Sequence, residues 1–86
     1  MATLIAMHDV EDVDHWLSSP KREELFGPMG ITVRTFTGEP GSKRVGLIAE
    51  IPDMDAWTAM LQSDAGAEAM KYDGVKPETM VILTEA

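Results

Sequence analysis

Along this chain a strand-like apolar run gives way to helically spaced apolar residues, and the change happens twice in the same order. The first stretch, LIAMHDVEDVDHWLSSPKREELFGPMGI, starts at Leu4; the second, LIAEIPDMDAWTAMLQSDAGAEAMKYDGV, starts at Leu47. Each opens with Leu-Ile-Ala and reaches an Asp-apolar-Asp-x-Trp run, DVDHW from Asp12 and DMDAW from Asp53. Each then meets a serine, Ser19 or Ser63, and ends in a glycine plus a β-branched residue, Gly30-Ile31 or Gly74-Val75. The ordered set of matches predicts a structural repeat of strand, broken helix and strand.

Local chemistry supports each element. ATLIAMH and RVGLIAEI are apolar runs of strand length, rich in β-formers. Asp12 and Asp53 are expected N-caps, because a short carboxylate accepts the free amide hydrogens of a first helical turn. Asp14 and Asp55 then lie near the positive end of the helix dipole. Val13, Trp16 and Leu17 follow one helical stripe, as do Met54, Trp57, Met60 and Leu61. Pro20 cannot continue a helix but suits the first turn of a new one after Ser19. Leu25, Phe26 and Met29 are expected to bury the second helical segment of the first half, and Ala65, Ala69 and Met70 that of the second. Gly27, Gly30 and Gly74 fit helix ends.

ITVRTFT and ETMVILTE supply two further strands, and GEPGSKR between the second and third reads as a hairpin turn. The order is β-α-β-β-α-β, the split βαβ arrangement of ferredoxin-like domains. The expected fold is α+β, a four-stranded antiparallel sheet with the helices on one face. Alternation then assigns sheet faces: Val45, Leu47, Ala49 and Ile51 face one way in the third strand, with Gly46, Ile48 and Glu50 opposite. In the last strand Met80, Ile82 and Thr84 oppose Val81 and Leu83. Both faces carry large apolar residues, whereas an antiparallel sheet covered on one side only should be polar on the other. A second copy of the chain packed sheet to sheet, a homodimer, is the expected cover.

Composition narrows the classes. Eighty-six residues make one domain, and a chain of this size buries only about 60–65 % of its unfolded surface. With no cysteine there is no disulfide and no thiolate chemistry. A net charge of −8 argues against nucleic acid, which calls for a basic stripe. No apolar run approaches the roughly 20 residues of a membrane span, and Met-Ala-Thr-Leu lacks the basic start of a signal peptide. A soluble, cytoplasmic protein with no membrane partner is expected.

Length, βαββαβ order, broken helices and a two-sided sheet, together with stretches such as SDAGAEAMKYDGV, resemble the dimeric α+β barrel proteins. These include the antibiotic-biosynthesis monooxygenases and muconolactone isomerase. The resemblance implies a ligand pocket between the sheet and the helices of each protomer. It carries no catalytic residue over, and the fold hosts unrelated chemistries.

Comparing the halves singles out the histidines. The link from Ala6 to Asp12 is longer than that from Ala49 to Asp53 and contains His8; where the first half has His15, the second has Ala56. His8 is expected at the carboxyl end of the first strand and His15 in the first helical turn, as a proton-transfer pair or as polar groups of a pocket. The competing account is capping and a loop hydrogen bond. A metal held by the two histidines and Asp9, Glu11 or Asp12 is disfavoured, because the spacing matches no ligand motif and capping already explains the acids. Trp16 and Trp57 are core anchors that could also line a ligand cavity. Arg34, in mid-strand, calls for a partner such as Glu50 or an anion. Tyr72 could face a pocket mouth. No Gly-x-Gly-x-x-Gly, Walker loop or serine nucleophile elbow is present, and the seven methionines read as adaptable core filler.

Two functional classes follow. One is a small enzyme, with no cofactor called for, that acts on an apolar cyclic or polyketide-like molecule by monooxygenation, cyclisation or isomerisation, with His8 as acid or base. The other is a non-catalytic ligand-binding or accessory dimer.

Overall fold

A computed structural model describes residues 2–86. The strand β1 spans Ala2–Val10, and two short helices follow, α1 at Val13–Ser18 and α2 at Lys21–Phe26, with a 3-10 turn at Gly27–Met29. Next come β2, Thr32–Thr37, and β3, Arg44–Ile51. The helices α3, Met54–Leu61, and α4, Asp64–Asp73, lead to β4, Val75–Thr84. The sheet order is β2-β3-β1-β4, antiparallel throughout, as the ferredoxin-like reading requires.

The expected caps form. Asp12 Oδ1 accepts from the His15 amide at 3.1 Å, and Asp53 Oδ1 accepts from the amides of Asp55 and Ala56 at 3.0 and 3.2 Å. Ser63 Oγ accepts from the Gly66 amide at 3.1 Å. Ser19 acts one position earlier, accepting from the Lys21 amide while Pro20 takes the cap position of α2. Gly30 and Gly74 end their helical segments at φ 70° and 72°, where a Cβ would be strained. The core lies between the helices and one sheet face: Leu4, Ala6 and Val10 of β1 and Val45, Leu47, Ala49 and Ile51 of β3 pack against Trp16, Phe26 and Trp57.

Three expectations need correction. The link after His8 starts as strand, not loop: β1 runs on through Asp9 to Val10. Across from it, β4 bulges. Met7 faces Val81 and Asp9 faces Lys76, so His8 alone opposes the stretch 77–80. Pro77 has no amide hydrogen to offer the ladder, and the Thr79 hydroxyl stands in as acceptor for the Asp9 amide at 2.8 Å. Leu17 is exposed rather than buried, because α1 is too short to wrap its whole stripe around the core. In α4 Ala69 is buried as expected, but Gly66 and Asp73 join it and Ala65 is exposed. The α3–α4 turn packs so closely that a Cβ on Gly66 would run into the Met60 carbonyl.

The far sheet face carries Ile5, Phe36, Val81 and Leu83, with 37, 44, 43 and 53 % of their surface exposed.

Candidate functional site

A cavity of about 80 Å³ lies between the sheet and the helices. Leu25, Phe26, Leu47 and Trp57 form apolar walls, and Met60, Met70 and Met80 line it with flexible side chains. His8, Arg22 and Asp73 all face the cavity.

The extension of β1 places His8 on the core face, between Ala6 and Val10 in the alternation. It is 3 % exposed, with its ring edge-on to Trp16 at 5.7 Å between centroids. Its Nδ1 has no hydrogen-bond partner among the described residues. Burial lowers the imidazole pKa from its ordinary 6.5; the charges of Arg22 and Arg44 act in the same direction, against the neighbouring backbone and carboxylate of Asp9. His8 is therefore neutral at pH 7, free to take up or give a proton through Nδ1 according to tautomer.

Arg22 comes from the first turn of α2. Its guanidinium lies over the Trp16 ring at 4.1 Å, and Nη2 donates to the Trp16 carbonyl at 3.0 Å. Nη1 stands 3.7 Å from Asp73 Oδ2, an ion-pair distance too long for a hydrogen bond. Burial draws the guanidinium below its ordinary pKa, opposed by Asp73, and arginine keeps its charge regardless. Asp73 ends α4 and is 4 % exposed. A carboxylate at a helix C-terminus is disfavoured by the dipole, so it depends on Arg22. Among the described residues Arg22 Nη1 and Asp73 Oδ1 both lack hydrogen-bond partners. Three buried polar atoms, all from residues that line one cavity, thus lack a partner among the described residues, where nearly all such atoms are paired.

The sequence-derived candidates divide. His8, Trp16 and Trp57 line the cavity. His15 does not: it is exposed, its Nε2 is 2.8 Å from the Tyr72 carbonyl, and its ring packs on Tyr72 at 5.0 Å. Tyr72 is half exposed beneath Lys21 Nζ at 5.2 Å, away from the cavity. Arg34 lies on the opposite sheet face, exposed, with its guanidinium 5.6 Å from the Phe36 ring. It makes no ion pair with Glu50; β2 places Thr32, not Arg34, across from that residue. Among the described residues no cluster of histidine and carboxylate groups could hold a metal.

Sequence reasoning missed Arg22 and Asp73, although the repeat marks both. Three residues after the serine, Arg22 stands where the second half has Gly66; one residue before the closing glycine, Asp73 stands where the first half has Met29. Counted from Leu-Ile-Ala, His8 likewise matches Ile51.

No family model and no curated protein matches the chain. Its fold recurs in solved structures. An antibiotic biosynthesis monooxygenase superposes with a TM-score of 0.64 at 13 % identity, over 100 % of this chain and 97 % of that one. A dimeric ferredoxin-like protein of unknown function from Jannaschia sp. CCS1 gives 0.69 at 12 % identity, over 99 and 97 %. A dimeric ferredoxin-like protein of unknown function from Bacteroides fragilis gives 0.64 at 14 % identity, over 98 and 93 %. At these identities the likeness is one of fold.

Proposed function

We propose that the protein binds a small, mostly apolar cyclic molecule in the cavity between sheet and helices, and that His8 acts there as a proton-transfer group. The observation that carries this reading is the meeting of apolar walls with three unpartnered buried polar atoms, those of His8, Arg22 and Asp73. A ligand site has this composition: apolar area for affinity and a few polar groups for orientation. The cavity's 80 Å³ falls below the roughly 300 Å³ of an ordinary ligand pocket. The methionines must therefore swing aside as a ring enters, and their flexible, polarisable chains suit that. Oxygenation without a cofactor, cyclisation and isomerisation share a first step, removal of a proton from carbon beside a carbonyl. A neutral imidazole is the base for it, and the Arg22 charge can stabilise the enolate oxygen.

The test uses 2-tetralone, an apolar bicyclic ketone with exchangeable hydrogens. Trp16 and Trp57 line the cavity, so binding is read as tryptophan quenching, and proton abstraction as loss of the C1 hydrogen signal in deuterated water. Quenching with exchange faster than the buffer rate, lost in His8→Ala, is the expected result. Quenching without exchange leaves the second reading, a ligand-binding or accessory protein, which the lack of a recognisable nucleophile motif in the sequence favours. No quenching by 2-tetralone or naphthalene overturns both.

The protein is further proposed to form a homodimer through the sheet. Ile5, Phe36, Val81 and Leu83 make an exposed apolar face, of the kind that marks an interface. Two of the solved structures of this fold are described as dimeric. Light scattering should give twice the chain mass, and Leu83→Lys should return it to a single mass; a monomeric wild type at micromolar concentration would refute the dimer.

A further inference from the structure

The three unpartnered atoms define more than a polar spot, because their hydrogen-bonding roles differ. Arg22 Nη1 only donates and Asp73 Oδ1, as a carboxylate oxygen, only accepts. His8 Nδ1 takes either role, set by its tautomer. Nη1 lies 3.7 Å from Oδ2 of the same carboxylate, so a donor and an acceptor stand side by side. The three atoms are buried: Asp73 is 4 % exposed and His8 3 %, while the Arg22 side chain as a whole keeps 16 %. Arg22 and His8 flank one ring, with the guanidinium 4.1 Å and the imidazole 5.7 Å from Trp16. The charges of Arg22 and Asp73 cancel, and burial keeps His8 uncharged.

From this we infer that the cavity selects an uncharged ligand whose polar head carries an acceptor and donors together, a carboxamide or lactam on an apolar ring. The inference rests on the reading that the cavity binds an apolar ring, and names the head group of that ligand. The amide oxygen accepts from Arg22 Nη1. One amide hydrogen goes to Asp73 Oδ1, and in a primary amide the second reaches His8 Nδ1 when the ring proton is on Nε2. The other heads fit less well. A carboxylate would pair with Arg22 but set a second anion against the buried Asp73 Oδ1. A ketone satisfies Arg22 and leaves Asp73 unpaired. A hydrocarbon leaves all three atoms as they are, or with a trapped water.

The experiment compares benzamide, benzoate, acetophenone and toluene, four probes of similar ring size, by tryptophan quenching at pH 7.5. Benzamide should bind roughly tenfold or more tighter than each of the others, as expected when a buried donor–acceptor pair is matched rather than left open. The His8 and Arg22 side-chain nitrogen resonances should shift with benzamide and not with toluene. Asp73→Asn, checked for folding by circular dichroism, removes the anion and should move the preference from benzamide to benzoate. If toluene or acetophenone equals benzamide, a water satisfies the polar atoms and the inference fails while the apolar-ring reading stands. A wild type that prefers benzoate also overturns it. If neither these probes nor naphthalene quench, the inference and the reading fall together.

Discussion

The two halves of the chain, β1-α1-α2 and β3-α3-α4, share caps, tryptophans and helix-ending glycines, and differ where the cavity is polar. In the second half Gly66 lets α4 close against the Met60 carbonyl, and Ile51 is 1 % exposed in the apolar core. In the first half the matching positions hold Arg22 and His8. Asp73 departs the other way: it occupies the second half's last helical position, where the first half has Met29. All three departures face one cavity. A repeat needs only its shared residues to fold, so polar residues that replace apolar or small counterparts, at a desolvation cost, are the ones that architecture does not explain.

Substitutions that push one half toward the other probe this contrast. The largest effect is expected for Gly66→Ala. Its Cβ meets backbone rather than a flexible side chain, so the α3–α4 contact must open at a cost of about 3 kcal/mol; a urea midpoint close to wild type would show that the contact yields easily. Arg22→Met should come next. It leaves Asp73 buried without its cation, costing on the order of 2 kcal/mol, less than for a fully buried pair because Arg22 keeps 16 % side-chain exposure. Adding Asp73→Met should recover at least half of that loss. A double variant less stable than the single one would mean that the pair itself stabilises the fold.

Removing the caps tests what the halves share. Asp53→Ala should cost about 1 kcal/mol, and Asp12→Ala slightly less, because Asp53 accepts two amide hydrogens and Asp12 one. Thermal melts unchanged in both would place the helix starts elsewhere. The smallest effect concerns pH. The folded pKa of His8 is lowered from 6.5, so both states are neutral above that value and no stability is lost there. As pH falls below 6.5 the unfolded chain takes up the proton first, and stability declines until the folded pKa is passed. His8→Ile, which copies Ile51, should flatten that part of the pH–stability curve; an unchanged slope from pH 7 to 5 would assign it to other groups.

Much of the fold was legible in the sequence because its causes are local. An aspartate before an apolar stripe caps a helix whatever packs on it, a glycine at positive φ ends one, and alternation sorts a strand's two faces. The site was legible in part. His8 stood out because the second half has no histidine, and the tryptophans because each half repeats one. His15 shared the first of these signals yet turned outward onto Tyr72, since position on a short helix does not say which side meets the sheet. Arg22 and Asp73 look in the sequence like solvated charges, one beside Lys21, Glu23 and Glu24 and the other beside Lys71. Only packing α2 and α4 over the sheet brings these residues, distant along the chain, to 3.7 Å and removes most of their side-chain surface from solvent. The local chemistry of the chain determined its strands, caps and turns; the tertiary structure decided which charges are buried together, because desolvation depends on what lies across the cavity and not on what lies next in sequence.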